Sequence, residues 1–219
     1  MNIIYEAVIG SQLKETARPD SDTDYMGIYI AKNEEIGGFD WTDSREMISD
    51  ASPQGDDHTY YELRKFFRLA SKSSPVVLPF IASHKVINST GFGREVLTVA
   101  QEDLISKEWL RKVGNYTVGK MHVYMAKGKR KDLVESYYMG EVAARWLHYG
   151  FAWASIDGAP FFSGFDFETF MAYDLEKQEK IVHNLADYLE VMESHSRLRE
   201  TPDFTRATNF LSHARNHFG

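Results

Sequence analysis

The chain has 219 residues, enough for one well-cored domain or for a small α/β domain with a helical partner. It carries 25 Lys and Arg against 32 Asp and Glu, and the net charge of −7 argues against strong binding to long duplex DNA, where many cations must neutralise phosphates. Zero Cys excludes disulfides, thiolate catalysis and Cys-ligated zinc; with no apolar run of membrane-spanning length and no basic, apolar leader, the expectation is a cytoplasmic protein with no membrane partner.

Residues Ile3 to Ile9 are apolar and rich in β-branched types, which predicts a strand ending at Gly10. The turn at Gly10-Ser11 lets backbone N–H groups approach an anion, and the Ser11 hydroxyl can donate to a phosphate oxygen. Ten residues later Asp22-Thr23-Asp24 opens the apolar run Tyr25-Met26-Gly27-Ile28-Tyr29-Ile30, a second predicted strand. Residues two apart in a strand share a face, so Asp22 and Asp24 are expected to project together. Two such carboxylates repel one another and lose hydration. A hard cation such as Mg²⁺, or Mn²⁺ in its place, removes both costs and is commonly shared with substrate phosphates. Asp-x-Asp is frequent in plain turns; the buried strand launched from this pair is what favours a site.

Gly37-Gly38 reads as a break, and the polar stretch from Thr42 to Asp56 reads as a mobile loop. Leu63, Phe66, Phe67 and Ala70 then recur at helical spacing, which predicts a helix beginning near Tyr60. Thr59 and Glu62 form a capping-box pattern, so Glu62 is read as structural. Asp57 lies just outside that cap, where a preceding strand would end. It is the preferred third carboxylate, as metal ligand or as base for an attacking hydroxyl, with Asp56 as the alternative. The plain role of either is an acid answering the helix dipole. Lys65 and Arg64, on the same helix, either reach a phosphate or are solvated charges on the helix flank.

Beyond about Asn88 the pattern is helical. Ser106 is expected to cap a helix from Lys107 to near Gly128, with Leu110, Val113, Thr117 and Met121 on one face. A second helix spans Leu133 to Tyr149, burying Val134, Tyr138, Val142 and Trp146 and ending at Gly150. Between them Lys127-Gly128-Lys129-Arg130-Lys131 reads as a solvated loop rather than a nucleic-acid contact. Arg145 either reaches a cleft or snorkels to the surface. Phe151 to Phe167 reads as an ordered aromatic loop. A charged helix from about Leu175 to Arg199 follows, with an apolar stripe of Ile181, Val182, Leu185, Tyr188, Leu189 and Met192. A last helix after Asp203 uses Ala207, Phe210, Leu211 and Ala214. His213 and His217 are four apart with no acidic partner at a telling spacing, and read as surface histidines.

Gly-Ser, ten residues and Asp-x-Asp on the next strand resembles the nucleotidyltransferase (DNA polymerase beta) superfamily. Two blocks resemble, more narrowly, the RNA repair pathway DNA polymerase beta family. One is Ala17-Arg18-Pro19-Asp20-Ser21-Asp22-Thr23-Asp24 with Gly27-Ile28-Tyr29, and the other runs from Asp57-His58-Thr59-Tyr60-Tyr61-Glu62 through Ala70. The resemblance implies that Gly10 and Ser11 contact a triphosphate, that Asp22 and Asp24 bind metal, and that Asp57 completes the triad. The chain departs from the family pattern at Gln12-Leu13-Lys14-Glu15, where members commonly have Arg and later Gly. It departs again at Ser74-Pro75-Val76-Val77-Leu78-Pro79, where Asn-Pro-Asn-x-Leu-Glu is usual.

The expected fold is therefore α/β (α+β) and nucleotidyltransferase-like: a small mixed sheet with flanking helices over residues 1–87, then a helical C-terminal region over 88–219. The expected reaction is metal-dependent transfer of a nucleoside monophosphate from a nucleoside triphosphate, ATP among them, to an acceptor hydroxyl. The acceptor is an RNA end, a nucleotide or a small molecule, and pyrophosphate leaves. Two other readings stand beside it: a nucleotide-binding regulatory module without turnover, supported by the altered turn after Ser11, and a transferase of toxin–antitoxin type that modifies protein.

Overall fold

The computed structural model describes residues 2–19, 21–36, 46–51, 55–150, 162–164 and 166–218. They form two compact units, one of Met1–Ile105 with Pro202–Gly219 and one of Ser106–Thr201. In the first unit the order is β1 (Asn2–Ile9), α1 (Gly10–Lys14), β2 (Asp24–Ile30), α2 (Asn33–Ile36), β3 (Met47–Ala51), β4 (Asp57–Glu62), α3 (Leu63–Ala70), α4 (Leu78–Ile81), β5 (Val86–Ser89) and α5 (Gly91–Val99). A π-helical turn over Ala100–Leu104 continues α5. The second unit contributes α6 (Lys107–Lys127), α7 (Arg130–Tyr149), α8 (Phe167–Ala172) and α9 (Leu175–His195), and α10 (Thr205–Phe218) belongs to the first.

The strands form a mixed α+β sheet in the order β3-β4-β2-β1-β5, in which β2 and β4 run parallel and the other pairings are antiparallel. Alternation along the strands sorts the side chains. Ala7, Met26, Ile28 and Tyr61 share one face and are buried. That face is covered by the apolar side of α3, where Leu63, Phe66, Phe67 and Ala70 are all at most 3% exposed. Edge-to-face contacts of Phe80 with Tyr5 (5.5 Å) and with Phe66 (5.9 Å) join β1, α3 and α4 into one core.

Residues 57–62 are a strand, so Asp57 opens a strand rather than following the end of one, and the helix begins at Leu63 rather than near Tyr60. His58-Thr59-Tyr60-Tyr61 has strong β preference and pairs on both sides, with β2 and with β3, so two ladders outweigh the local capping pattern. Thr59 accordingly sits mid-strand. The N-cap of α3 is Glu62, whose carboxylate accepts from the Arg64 N–H at 2.8 Å. Part of the stretch expected as a mobile loop is also strand, because Met47–Ala51 forms the outer partner of β4. Gly37-Gly38, residues 42–45 and 52–54 and most of Phe151 to Phe167 lie outside the described residues.

The second unit is a helical bundle. In α6, Leu110, Val113, Thr117 and Met121 are buried as expected; in α7 burial extends almost all round from Leu133 to Leu147. Ser106 occupies the N-cap of α6, but its side chain makes no capping bond, and α9 stops at His195, four residues before the expected Arg199. Arg145 is 1% exposed, so it does not snorkel; burial lowers its pKa, opposed chiefly by Glu141 one turn before it. Glu141, itself buried, accepts from the backbone N–H groups of Phe162 and Ser163, both at 3.0 Å. The compact units divide the chain elsewhere than the expected 1–87 and 88–219. β5 and α5 extend the first unit past residue 87, and Arg215 on α10 ties the C-terminus back to it through Glu62 (2.7 Å) and the Ala31 carbonyl (3.1 Å).

Candidate active site

β1 ends at Ile9, opposite Asp24 in the antiparallel ladder, and Asp24 in turn lies opposite Asp57 in the parallel one. Three chain segments therefore reach one end of the sheet together. Asp22 is not on the strand as expected, because pairing begins only at Asp24. It lies in the preceding loop, yet its carboxylate still joins the group. One carboxylate oxygen from each of Asp22, Asp24 and Asp57 lies within 4.8 Å of the others, with Asp24 half-buried and the other two exposed.

Asp56 and Asp57 play different parts. Asp56 Oδ1 accepts from the Thr23 N–H at 3.0 Å, and the Asp57 N–H donates to the Thr23 carbonyl at 3.2 Å. Asp56 thus pins the residue between Asp22 and Asp24, leaving Asp57 as the member of the trio.

Gly10 turns the chain at this same end with φ +66, a left-handed conformation that suits glycine. A Cβ built there would sit 1.8 Å from Asp24 Oδ2, so the turn is packed directly against a carboxylate of the trio. Ser11 follows in α1 and is half-buried, and its carbonyl accepts from the Thr16 N–H at 3.0 Å. Lys85, just before β5, donates through Nζ to the Gln12 carbonyl, and its own carbonyl accepts from the Val8 N–H at 2.9 Å. Lys85 thus brings positive charge to the turn.

Lys65 stands elsewhere. β4 carries the chain about 17 Å from Asp57 to Glu62, at roughly 3.4 Å per residue, before α3 begins. There Lys65 Nζ lies 3.8 Å from Glu46 Oε2, and Arg64 (2.9 Å) and Arg68 (2.7 Å) bind the same buried carboxylate. The structure brings Gly10, Ser11, Asp22, Asp24 and Asp57 to one end of the sheet and Lys65 to the other.

The opposite sheet face carries a network that no local pattern announces. Tyr25 stacks on His58 at 4.5 Å, and His58 Nδ1 lies 3.2 Å from the Tyr60 hydroxyl, which donates to Glu6 Oε1 at 2.6 Å. Burial, and then this bond to Glu6, raises the Tyr60 pKa well above the ordinary phenol range. Tyr60 lies flat across Gly27, where a Cβ would come within 2.6 Å of its ring. These partners come from β1, β2 and β4, the strands at whose ends the three aspartates gather.

A mixed sheet with three clustered carboxylates beside a glycine turn defines a nucleotidyltransferase-like protein. Residues 1–150 match the RNA repair pathway DNA polymerase beta family, and the chain belongs to that family. Membership makes it a transferase whose general activity is nucleotidyl transfer. No curated protein matches the chain. Among solved structures, a nucleotidyltransferase-like protein from Exiguobacterium sibiricum 255-15 is similar over 100% of this chain and 83% of its own, at 9% identity and a TM-score of 0.31, a likeness too loose to carry an argument. No described helix is long and apolar enough to cross a membrane.

Proposed function

We propose that the chain transfers a nucleoside monophosphate from a nucleoside triphosphate to an acceptor hydroxyl, with Asp22, Asp24 and Asp57 as the residues that hold divalent metal. The gathering of one oxygen from each within 4.8 Å supports this reading. An all-oxygen donor set suits a hard cation, Mg²⁺ or Mn²⁺, over softer metals. When bound, such a cation supplies Lewis-acid polarisation of the phosphate and neutralises charge on the entering and leaving oxygens.

The chain's own residues do the positioning. Backbone N–H groups at the Gly10 turn and the Ser11 hydroxyl donate to the triphosphate, and Lys85 lends it positive charge. Asp57, exposed at the start of β4, accepts the proton of the acceptor hydroxyl as it attacks the α-phosphorus. Asp56 keeps Thr23 in place, so Asp22 and Asp24 approach as a pair. Lys65, committed to Glu46, takes no part. The family's description points to an RNA end as acceptor.

Incubation of the full chain with Mg²⁺, an α-phosphate-labelled nucleoside triphosphate and RNA of defined ends tests the reaction. Label on RNA with stoichiometric pyrophosphate, abolished in Asp22→Ala/Asp24→Ala, is the expected result. Label on protein would place the chain with protein-modifying transferases, and no transfer to any acceptor would leave it a nucleotide-binding module.

A further inference from the structure

The second unit carries a cluster of metal-ligating side chains that nucleotidyl transfer does not use. His122 on α6 and Glu179 and His183 on α9 each offer a donor atom, and these atoms lie within 4.8 Å of one another. Glu179 and His183 are one helical turn apart, with His183 Nε2 at 4.0 Å from Glu179 Oε1, and the two imidazole rings have centroids 6.1 Å apart. Both histidines are exposed and Glu179 is half-buried, so the cluster opens to solvent. His122 and His183 also line a cavity of about 620 Å³ between the two helices, together with Asn115, Gly119, Ala186 and Asp187.

The donor set differs in kind from the aspartate trio. Two imidazole nitrogens and one carboxylate oxygen suit Zn²⁺ and its neighbours Co²⁺ and Ni²⁺, whereas three carboxylates suit Mg²⁺ or Mn²⁺. Metal–nitrogen bonds of about 2.0–2.1 Å place neighbouring donors in a tetrahedron about 3.3–3.4 Å apart. The present separations close to that value by rotation of exposed side chains on two helices whose backbones are already packed. The cavity leaves room for a fourth ligand, water or a small anion.

We propose that His122, Glu179 and His183 form a second metal site, specific for a borderline transition ion of the Zn²⁺ class, that clamps α6 to α9. Metal bound there ties two segments 57 residues apart in sequence and stabilises the folded bundle by mass action. Two features separate this site from chance histidine binding: its ligands come from two helices, and one of them is a carboxylate. The pair His213 and His217 has neither feature. These rings stack at 3.9 Å on a single helix, and the His217 Nδ1 is engaged with the His213 carbonyl at 3.2 Å.

The test uses the tag-free full chain, stripped of metal and held in saturating Mg²⁺ so that the aspartates do not compete. Co²⁺ is titrated while visible d–d absorption and melting temperature are followed. The expected result is a band that saturates at one equivalent, is displaced by Zn²⁺, and is accompanied by a rise in melting temperature. His122→Ala and His183→Ala, at exposed positions, should each weaken binding by at least the ~10–100-fold that loss of an outer partner costs. Asp22→Ala/Asp24→Ala and His217→Ala should retain the band. Retention of the band in both His122→Ala and His183→Ala would overturn the site. Its loss in Asp22→Ala/Asp24→Ala or in His217→Ala, or the absence of any band from the folded wild-type chain, would do so equally.

Discussion

The two ends of the parallel strand pair β2 and β4 treat acidic residues in opposite ways. At the far end, Glu62 is fully buried and met by Arg215, and Glu46, 1% exposed, is met by Arg64, Lys65 and Arg68. Charge there is compensated within the chain. At the near end, Asp22, Asp24 and Asp57 are turned towards one another and two of the three face solvent. The same ladder thus yields a structural clamp where acids are buried against Arg and Lys and, on the function proposed above, a catalytic centre where exposed acids gather to hold a metal ion. On that proposal, an acid at the first end is worth stability, and an acid at the second is worth activity.

This contrast can be broken most sharply at Asp57. Asp57→Asn is expected to lower transfer by about 10³-fold or more, the several kcal/mol that metal-assisted stabilisation supplies, while the metal-free protein melts no lower than wild type. Coupled loss of activity and melting temperature would erase the distinction between the ends. Glu62→Ala is the converse. Removing one partner of a buried pair strands Arg215, and unfolding free energy in urea should fall by about 3 kcal/mol. Gly10→Ala sits between these extremes. It forces a left-handed φ on Ala and drives Cβ into the Asp24 carboxylate, for about 1–2 kcal/mol of stability and loss of Mg²⁺-dependent nucleotide binding in calorimetry. Tyr60→Phe has the smallest effect. It removes the hydrogen bond to Glu6 on the opposite sheet face, about 1 kcal/mol in thermal denaturation, and leaves transfer rates near wild type.

What was legible in the sequence lies close together along the chain. The strand stop at Gly10, the acids at Asp22 and Asp24 and the apolar stripe of α3 follow from spacing alone, and α6, α7 and α9 of the second unit follow from their period; the short α8 was not expected. Asp57 was legible as a residue type near a strand end, but it opens its strand rather than following one, and the strand's second half reads as a helix start because Thr59 and Glu62 imitate a capping box. Only pairing with β2 and β3 decides between the two. The division of labour between Asp56 and Asp57 rests on a hydrogen bond to Thr23, 33 residues away. Arg215 and Glu62 are 153 residues apart, and no periodicity links them. Lys65 shows the same limit from the other side. Its position on a helix following Asp57 suggested a phosphate ligand, whereas the length of β4 carries it to Glu46.

Calorimetric titration of nucleoside triphosphates into the full chain with Mg²⁺, beside Asp22→Ala/Asp24→Ala, measures the distinction between the two ends at its source. Binding that requires both Mg²⁺ and the aspartates, in a variant that melts like wild type, is the predicted result. Equal binding by the double variant, or none by the folded native chain, would contradict a metal-dependent nucleotide site at the start of β2 and β4.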